Sequence, residues 1–373
     1  MAYRTMTGCT DEVKRRFLEL PRRLYGRKEA VQNTGLEKEL LEGRHILSRY
    51  FSVLPIVVLD EAGRTASRCL LTFYEGDPCA YLGFFESVND TAASGLLFAA
   101  AQQEAAQAGR SKLMGPLNAS FWIGYRLKMN RFGTPYTAEP YNKAYYAALW
   151  EDAGFAVCER YYSHALRVPE EADSSMKCRQ RLQRMLDAGY TLRSPDKHTF
   201  AGDLREVYRV LIRCYSRFPL FRRIEEDEFC GMFRSLETVL DFDLVKLAYR
   251  DGALTGFFIC VPDYGNLTHQ GAVLRNLPGL FWNKYCRKEK QYVLLYLGID
   301  PKHPGVGAAL AEAVKQELVK KKAASVAALI HEGGISGGFY KELAVGRYEY
   351  ALFCRGSSES IDVSENMPPR RAR

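Results

Sequence analysis

The sequence lacks the cysteine spacing of a disulfide-rich or zinc-stabilised protein. Its ten cysteines are scattered along the chain, and none of them forms a Cys-x-x-Cys pair. Disulfide frameworks and structural zinc sites both need clustered cysteines. We therefore expect reduced thiols and no bound metal, as in a protein of the cytoplasm.

Long apolar segments are also missing. The longest runs, such as Val293–Leu297 and Val326–Ile330, are far shorter than the roughly 20 residues that cross a bilayer as a helix. Met1–Asp11 lacks the apolar core of a secretory signal. These absences predict a cytoplasmic protein with no membrane partner.

Positive charge is present in only modest excess. The chain has 52 lysines and arginines against 44 acidic residues, a net charge of +8. Basic residues are not interleaved with aromatic ones along one element, so we expect no nucleic-acid partner. A length of 373 residues with 47% hydrophobic and 26% charged residues predicts a folded protein of two domains.

The second half of the chain, residues 190–355, alternates strand and helix patterns. Two helical patterns and a hairpin come first, and Arg250-Asp251-Gly252 is typical of the hairpin turn. A buried strand, Tyr292–Ile299, then precedes a helix over 308–321. A strand over 325–332, a short helix near 336–344 and a last strand follow. This order predicts an α/β fold with a mixed sheet.

A glycine-containing loop, residues 301–308, joins the buried strand to the next helix. Gly305 and Gly307 let backbone N–H groups turn inward, and the helix N-terminus adds further donors. The loop therefore predicts a pyrophosphate site. It resembles motif A of the GNAT superfamily, written Q/R-x-x-G-x-G/A, with Lys302 where Gln or Arg is usual. Lysine keeps the positive charge there but loses the forked hydrogen bonding of arginine.

The resemblance covers residues 190–355 and implies an N-acetyltransferase that uses acetyl-CoA. It implies that the coenzyme arm lies beside the end of the buried strand, where a backbone N–H would stabilise the oxyanion. The coenzyme-binding residues that it implies are Leu297, Gly298, Ile299, Lys302, His303, Gly305, Val306, Gly307, Ala308 and Tyr340.

Acyl transfer to an amine needs a group that takes the amine proton and an acid for the leaving thiolate. GNAT enzymes often place a tyrosine after the fifth strand, which makes Tyr340 the expected acid. Glu332 and His331, at the end of strand 325–332, are both candidates for the base. Acceptor contacts are expected from the irregular segment 262–290. The residues expected to make them are Tyr264, His269 and Trp282.

The first half of the chain repeats the order of the second. Tyr81-Leu82-Gly83 and Tyr296-Leu297-Gly298 are identical, and each is followed by a loop, a helix and a strand. The loop of the first copy, residues 86–95, is acidic and has no Gly-x-Gly, so we expect no coenzyme there. Both halves together resemble two-lobed bacterial GNAT-like proteins. Three first-half residues are expected either to pack or to face a cleft between the lobes: Asn118, Trp122 and Tyr141.

We therefore expect tandem GNAT-like acyl-CoA N-acyltransferase folds. The boundaries are a degenerate lobe over 1–167, a connection over 168–189, a GNAT acetyltransferase domain over 190–355 and a disordered basic tail over 356–373. The expected chain is a monomer whose lobes pair as in a GNAT dimer, or a homodimer.

The predicted reaction moves an acetyl or other short acyl group from coenzyme A to a primary amine of a small molecule or peptide. Two alternatives stay open. One is a non-catalytic ligand-binding protein, favoured by the departures from the family pattern at Lys302 and Gly333. The other is a Fem-type transferase that takes an amino acid from tRNA, although the long helical insertion of those enzymes is lacking.

Overall fold

The computed structural model describes residues 2–174, 176–216, 218–268, 279 and 290–356. Its strands form one mixed sheet with helices on both faces. The strands are β1 Arg4–Thr7, β2 Ser52–Leu59, β3 Thr65–Phe73, β4 Cys79–Ser87, β5 Lys112–Gly115, β6 Leu127–Lys128, β7 Ala156–Leu166, β8 Tyr190–Arg193, β9 Val245–Arg250, β10 Ala253–Pro262, β11 Gln291–Ile299, β12 Ala324–His331 and β13 Ala344–Gly356. The α-helices are α1 Asp11–Leu24, α2 Thr34–Leu41, α3 Thr91–Gln107, α4 Tyr146–Asp152, α5 Met176–Asp187, α6 Phe200–Tyr215, α7 Glu226–Phe233 and α8 Val306–Lys321.

The two halves of the chain exchange their last strands. The sheet order is β1-β2-β3-β4-β5-β13-β7-β12-β11-β10-β9-β8, and the short β6 pairs with β13. β13 of the second half thus lies beside β5, and β7 of the first half lies beside β12. The order is the same when it is followed from either end, which confirms the repeat predicted from the sequence. The predicted α/β fold with a mixed sheet is confirmed as well.

One local expectation is wrong. The short helix near 336–344 is instead two 3-10 turns, Ile335–Gly338 and Lys341–Leu343, with Tyr340 between them in the left-handed conformation at φ 62°. Each glycine in this segment weakens an α-helix by about 1 kcal/mol relative to alanine. The predicted connection over 168–189 contains a helix of its own, α5, which packs on α8.

Each lobe buries its own apolar core. In the second lobe, α6 and α7 cover one face of the sheet, while α8 and α5 cover the other. In the first lobe, α3 and α4 cover the sheet with aromatic side chains such as Phe98 and Trp150. Among the described residues, no helix combines the length and apolar character required to span a bilayer. The tail predicted over 356–373 lies outside the described residues after Gly356.

Candidate functional site

The site begins where β11 and β12 part. These parallel strands pair only from Gln291–Ala324 to Leu294–Ala327. β12 then bulges, with Leu329 at φ 58° and its amide donating to Ser163 Oγ at 2.8 Å. β11 continues to Ile299 without a β12 partner. The diverging strands therefore open a cleft in the second lobe.

The predicted coenzyme residues on β11 lie along this open edge. The carbonyl oxygens of Leu297 and Ile299 accept from Tyr215 Oη at 3.3 Å and Cys214 Sγ at 2.9 Å, so they face away from β10. In an extended strand the N–H and C=O of one residue share an edge, so the amides of Leu297 and Ile299 lie there too. Gly298 is required for packing, because a Cβ at Gly298 would come within 2.4 Å of the Phe257 ring.

The predicted phosphate loop lies at the N-terminus of α8. Gly305 caps the helix in the left-handed conformation at φ 94°, and a Cβ there would meet nothing within 4 Å. The amides of Gly305 and Gly307 have no backbone acceptor among the described residues. Lys302 is exposed, whereas His303 Nδ1 lies 2.8 Å from Tyr190 Oη. This open cradle of unpaired donors beside a lysine fits a pyrophosphate.

The other two loop residues act through their backbone. Val306 is buried in the core under α8, and Ala308 is half-buried in the first turn of that helix. Their side chains therefore fix the position of the loop, and only their main-chain atoms are available to a ligand.

The equivalent cleft in the first lobe is closed. Asp90 caps α3 by accepting from the amides of Ala92 and Ala93, which occupies the donors that a phosphate would use. Asn118 Oδ1 accepts from the amide of Phe84 at 2.7 Å, and so bridges the gap beside β4. The Asp90 carboxylate and the Asn118 side chain thus occupy the backbone N–H groups that a ligand would use in this lobe.

A cavity of ≈470 Å³ joins the second-lobe cleft to the first lobe. This volume is within the range of small-molecule sites, roughly 300–1,000 Å³. Most of its lining is aliphatic or aromatic. Asn118, Trp122 and Tyr141 all line it, as does Leu297 on the open edge of β11. The phosphate loop lies outside this cavity.

A histidine of the cavity wall is hydrogen-bonded to a carboxylate. His331 Nε2 is 2.6 Å from Glu159 Oε2, and the His331 ring packs against Tyr161 and Phe218. His331 Nδ1 has no hydrogen-bond partner among the described residues. Because a carboxylate only accepts, the proton of this bond lies on Nε2, which leaves a lone pair on Nδ1.

The sequence could not indicate Glu159. It lies on β7 of the first half, and only the strand exchange brings β7 next to β12. The one available signal was His331 itself, since a histidine base commonly has a carboxylate partner.

The other candidates either lie away from the cavity or have their polar atoms engaged in an ion pair or a hydrogen bond. Glu332 is exposed and pairs with Arg347 at 3.6 Å. Tyr340 contacts the cavity, but its buried hydroxyl donates to Ala311 O at 2.5 Å, and burial holds its pKa well above the usual value. The general-acid role of Tyr340 and the base role of Glu332 stay predictions, and neither is favoured by these contacts.

The expected acceptor contact of Tyr264 stays a prediction, and its surroundings do not favour it. Its ring is buried, its hydroxyl donates to Val239 O at 2.8 Å, and it does not line the cavity. Tyr264 instead anchors the end of β10. His269 and Trp282 lie outside the described residues.

Comparisons with known proteins agree with this architecture. No family model matches the chain. A bacterial ceramide synthase from Caulobacter vibrioides is 25% identical over 190 residues, which is 51% of this chain and 49% of that protein. The chain thus matches about half the length of this curated relative.

Two solved structures are similar over nearly the whole chain. A tandem GNAT protein from the clavulanic acid biosynthesis pathway has a TM-score of 0.49 and 13% identity, with 96% of this chain and 100% of that one covered. A GCN5-related glucosamine N-acetyltransferase region of a fungal multi-domain β-N-acetylglucosaminidase has a TM-score of 0.50 and 13% identity, over 95% of this chain and 38% of that one. The chain has a two-lobed, GNAT-like fold.

Proposed function

We propose that this protein is an N-acyltransferase that moves an acyl group from a coenzyme A thioester to a primary amine. The observation that carries the proposal is His331, which lies in the wall of a cavity that reaches the open edge of β11 and is hydrogen-bonded to Glu159. His331 is the proposed general base, and Glu159 positions it.

The reaction assigned to this pair is direct acyl transfer. The amine nitrogen attacks the thioester carbonyl carbon, the C–S bond breaks, and coenzyme A leaves as the thiolate. The proton lost by the amine goes to His331 Nδ1. Glu159 holds the ring orientation and stabilises the imidazolium that forms, which is the usual task of a carboxylate behind a histidine base.

The donor side of the proposed site is the cleft and the loop at the start of α8. Gly305 and Gly307 offer backbone N–H groups to the pyrophosphate, and Lys302 adds a positive charge. The amides of Leu297 and Ile299, on the edge of β11 that has no strand partner, are available to the donor's amide arm or its carbonyl oxygen. A short acyl group such as acetyl is the donor group that the sequence predicts.

The acceptor side is the apolar part of the cavity. Side chains of α6 and α7, among them Leu211, Phe229 and Phe233, line it together with Trp122 and Leu295. Burial of an apolar chain on such a surface contributes roughly 25 cal/mol per Å². The relative from Caulobacter vibrioides is named as a ceramide synthase, which also supports an acceptor amine attached to an apolar chain.

The test is thiol release by the purified protein with acetyl-CoA or palmitoyl-CoA and a long-chain primary amine such as sphinganine. We expect release that requires both substrates and an N-acylated product in the mass spectrum. Titration calorimetry with acetyl-CoA alone tests the donor site separately.

The matched variants for the donor site are Lys302→Glu and Lys28→Glu. Both lysines are exposed, but only Lys302 lies at the phosphate loop. Reversal of one charge next to a phosphate should weaken coenzyme binding by roughly tenfold, while Lys28→Glu leaves it unchanged. Absence of binding at millimolar acetyl-CoA would refute the donor assignment and favour the tRNA-dependent or non-catalytic alternatives.

A further inference from the structure

Arg126 is an arginine of the cavity wall that forms no ion pair with any residue that the structure describes. It precedes β6 and is half-buried. Its guanidinium carbon lies 3.8 Å from the ring centre of Tyr125 and 4.2 Å from that of Tyr161. The one side-chain hydrogen bond that Arg126 makes among the described residues goes to the Tyr125 hydroxyl, and its Nε is buried without a partner among them. The two rings therefore hold the side chain but do not satisfy its donors.

This situation is costly for an arginine. A guanidinium is a cation that carries five N–H donors. A charge removed from water needs an opposite charge or several hydrogen bonds, and two cation–π contacts compensate only in part. Other buried cations of the first lobe do have such partners, since Arg68 pairs with Glu37 and Lys128 pairs with Glu139.

The backbone at Arg126 is also specialised. Arg126 has φ 89°, a left-handed conformation that residues with a side chain rarely adopt. Its amide donates to Pro116 O at 3.1 Å, which fixes this turn next to the closed cleft of the first lobe. Strain of this kind persists where the surrounding structure fixes a side chain in a particular place.

The position of Arg126 relates it to the reaction centre of the proposed function. Tyr161, one of its two ring neighbours, also packs against His331, with ring centres 5.0 Å apart. Glu159, two residues earlier on β7, is hydrogen-bonded to His331, and no ion pair joins it to Arg126 in the described part of the chain. The acceptor's reacting nitrogen belongs beside His331, so a group close to that nitrogen lies within reach of the guanidinium.

We propose that Arg126 binds an oxyanion, a carboxylate or a phosphate, which the acceptor carries close to its amino group. This inference rests on the proposed function, because His331 marks the place of the amine. The acceptor class that follows is an amphiphile with an apolar chain, a primary amine and an acidic oxygen group in one small head. A planar guanidinium pairs with such groups through two parallel hydrogen bonds.

The experiment is calorimetric binding of three amines to the full-length protein without any coenzyme. The probes are undecylamine, 2-aminododecanoic acid, which adds only a carboxylate, and 2-aminododecyl phosphate, which places a phosphate near the amine. We expect wild-type protein to bind at least one acidic probe roughly 10- to 100-fold more tightly than undecylamine. The tighter of the two acidic probes identifies the oxyanion.

The variants are Arg126→Gln, which removes the charge, and Arg126→Lys, which keeps it but loses the fork. We expect Arg126→Gln to abolish the preference and Arg126→Lys to retain part of it, with undecylamine unaffected. Arg131→Gln is the matched control, because Arg131 also has a positive φ and a tyrosine contact but is exposed outside the cavity. Thermal unfolding of each variant is measured in parallel.

Three outcomes would overturn the proposal. One is wild-type protein that does not prefer an acidic probe, a result that needs no variant to fold. Another is an equal loss for all three probes in a folded Arg126→Gln protein. The third is a folded Arg126→Gln protein that keeps the wild-type preference for an acidic probe. Binding is measured without acyl-CoA, so failure of the acyltransfer assay is a separate result.

Discussion

The roles assigned to His331 and Glu159 depend on the residues that surround them in the fold. His331 ends β12, and sequence reasoning ranks it after Glu332 as a candidate base. The structure separates the two, because Glu332 is 53% exposed at the surface while His331 has a carboxylate on one ring nitrogen and the cavity beside it. The chemical types of the candidates were predictable from the sequence. Their access to the cavity was not, since it depends on the bulge at Leu329 and on β7 from the other half.

The variants His331→Gln, Glu159→Gln and Glu332→Gln test this separation. Loss of a general base typically lowers kcat by about 10² to 10⁴-fold, and we expect His331→Gln to fall in that range. Loss of the orienting carboxylate should cost less, roughly 10- to 100-fold. Glu332→Gln is the control and should keep wild-type kcat. The opposite ranking, with Glu332→Gln the most damaged in thiol release, would restore Glu332 as the base.

Glu86 is a second residue whose behaviour comes from burial. It lines the first-lobe end of the cavity and accepts hydrogen bonds from the hydroxyls of Tyr25 and Tyr146 and from the Gln32 amide, at 2.6–2.9 Å. Burial raises its pKa from 4.5 to about 7, despite the opposing effects of Arg68 and these hydrogen bonds. A raised carboxyl pKa stabilises the fold below pH 4.5, and this contribution is lost as the pH rises through about 7.

We therefore compare the free energy of unfolding of Glu86→Gln with that of wild-type protein. As the pH rises from about 5 to about 8, this difference should shift in favour of the variant by up to about 3 kcal/mol. The amide keeps the shape of the side chain but does not titrate. Urea unfolding at several pH values measures the gap, with Glu151→Gln, exposed on α4, as the control. A gap that stays constant over this range would show that Glu86 has an ordinary pKa.

At the scale of elements, strong periodic patterns were predictable and irregular connections were not. The sequence placed β11 and α8 within two residues of their observed bounds, because a continuous apolar run and an amphipathic repeat each favour one structure. It was wrong at 336–344, where glycines prevent the helix. It could not show that the first-lobe cleft is filled, because Asn118 reaches Phe84 across 34 positions of the chain.

Two glycines test how that first-lobe cleft is closed. A Cβ at Gly83 would lie 1.9 Å from Leu117 O, a backbone atom that cannot move aside cheaply. We expect Gly83→Ala to destabilise the protein by about 1–3 kcal/mol or more. Gly95→Ala, exposed inside α3 with no atom within 4 Å, should stabilise it by up to about 1 kcal/mol. Denaturant unfolding measures both, and equal stability of Gly83→Ala and wild type would mean that this close backbone contact does not exist in solution.

At the scale of the whole molecule, the exchange of β7 and β13 makes the two halves depend on each other. The sequence predicts two successive lobes with a boundary near residue 168. Pairing of strands distant in the chain carries no local signal, so the exchange could not be predicted. β13 pairs with β7 over most of both strands, from Ala344–Leu166 to Cys354–Ala156, and also pairs with β5. When one half is absent, the other half therefore lacks a strand from the interior of the sheet.

This dependence predicts the behaviour of the separated halves. Expressed alone, residues 1–167 lack β13, which lies between β5 and β7. Residues 168–373 lack β7, which lies between β13 and β12. Unpaired edges of this length favour aggregation, so we expect neither fragment to fold alone. Coexpressed, the fragments should copurify as a one-to-one complex with the circular dichroism spectrum of the intact chain. A chain cut at a protease site inserted between Glu170 and Glu171, both exposed after β7, is the control and should stay assembled. Two stable, monomeric, folded fragments would instead mean that each lobe completes its own sheet, and the exchanged arrangement would be wrong.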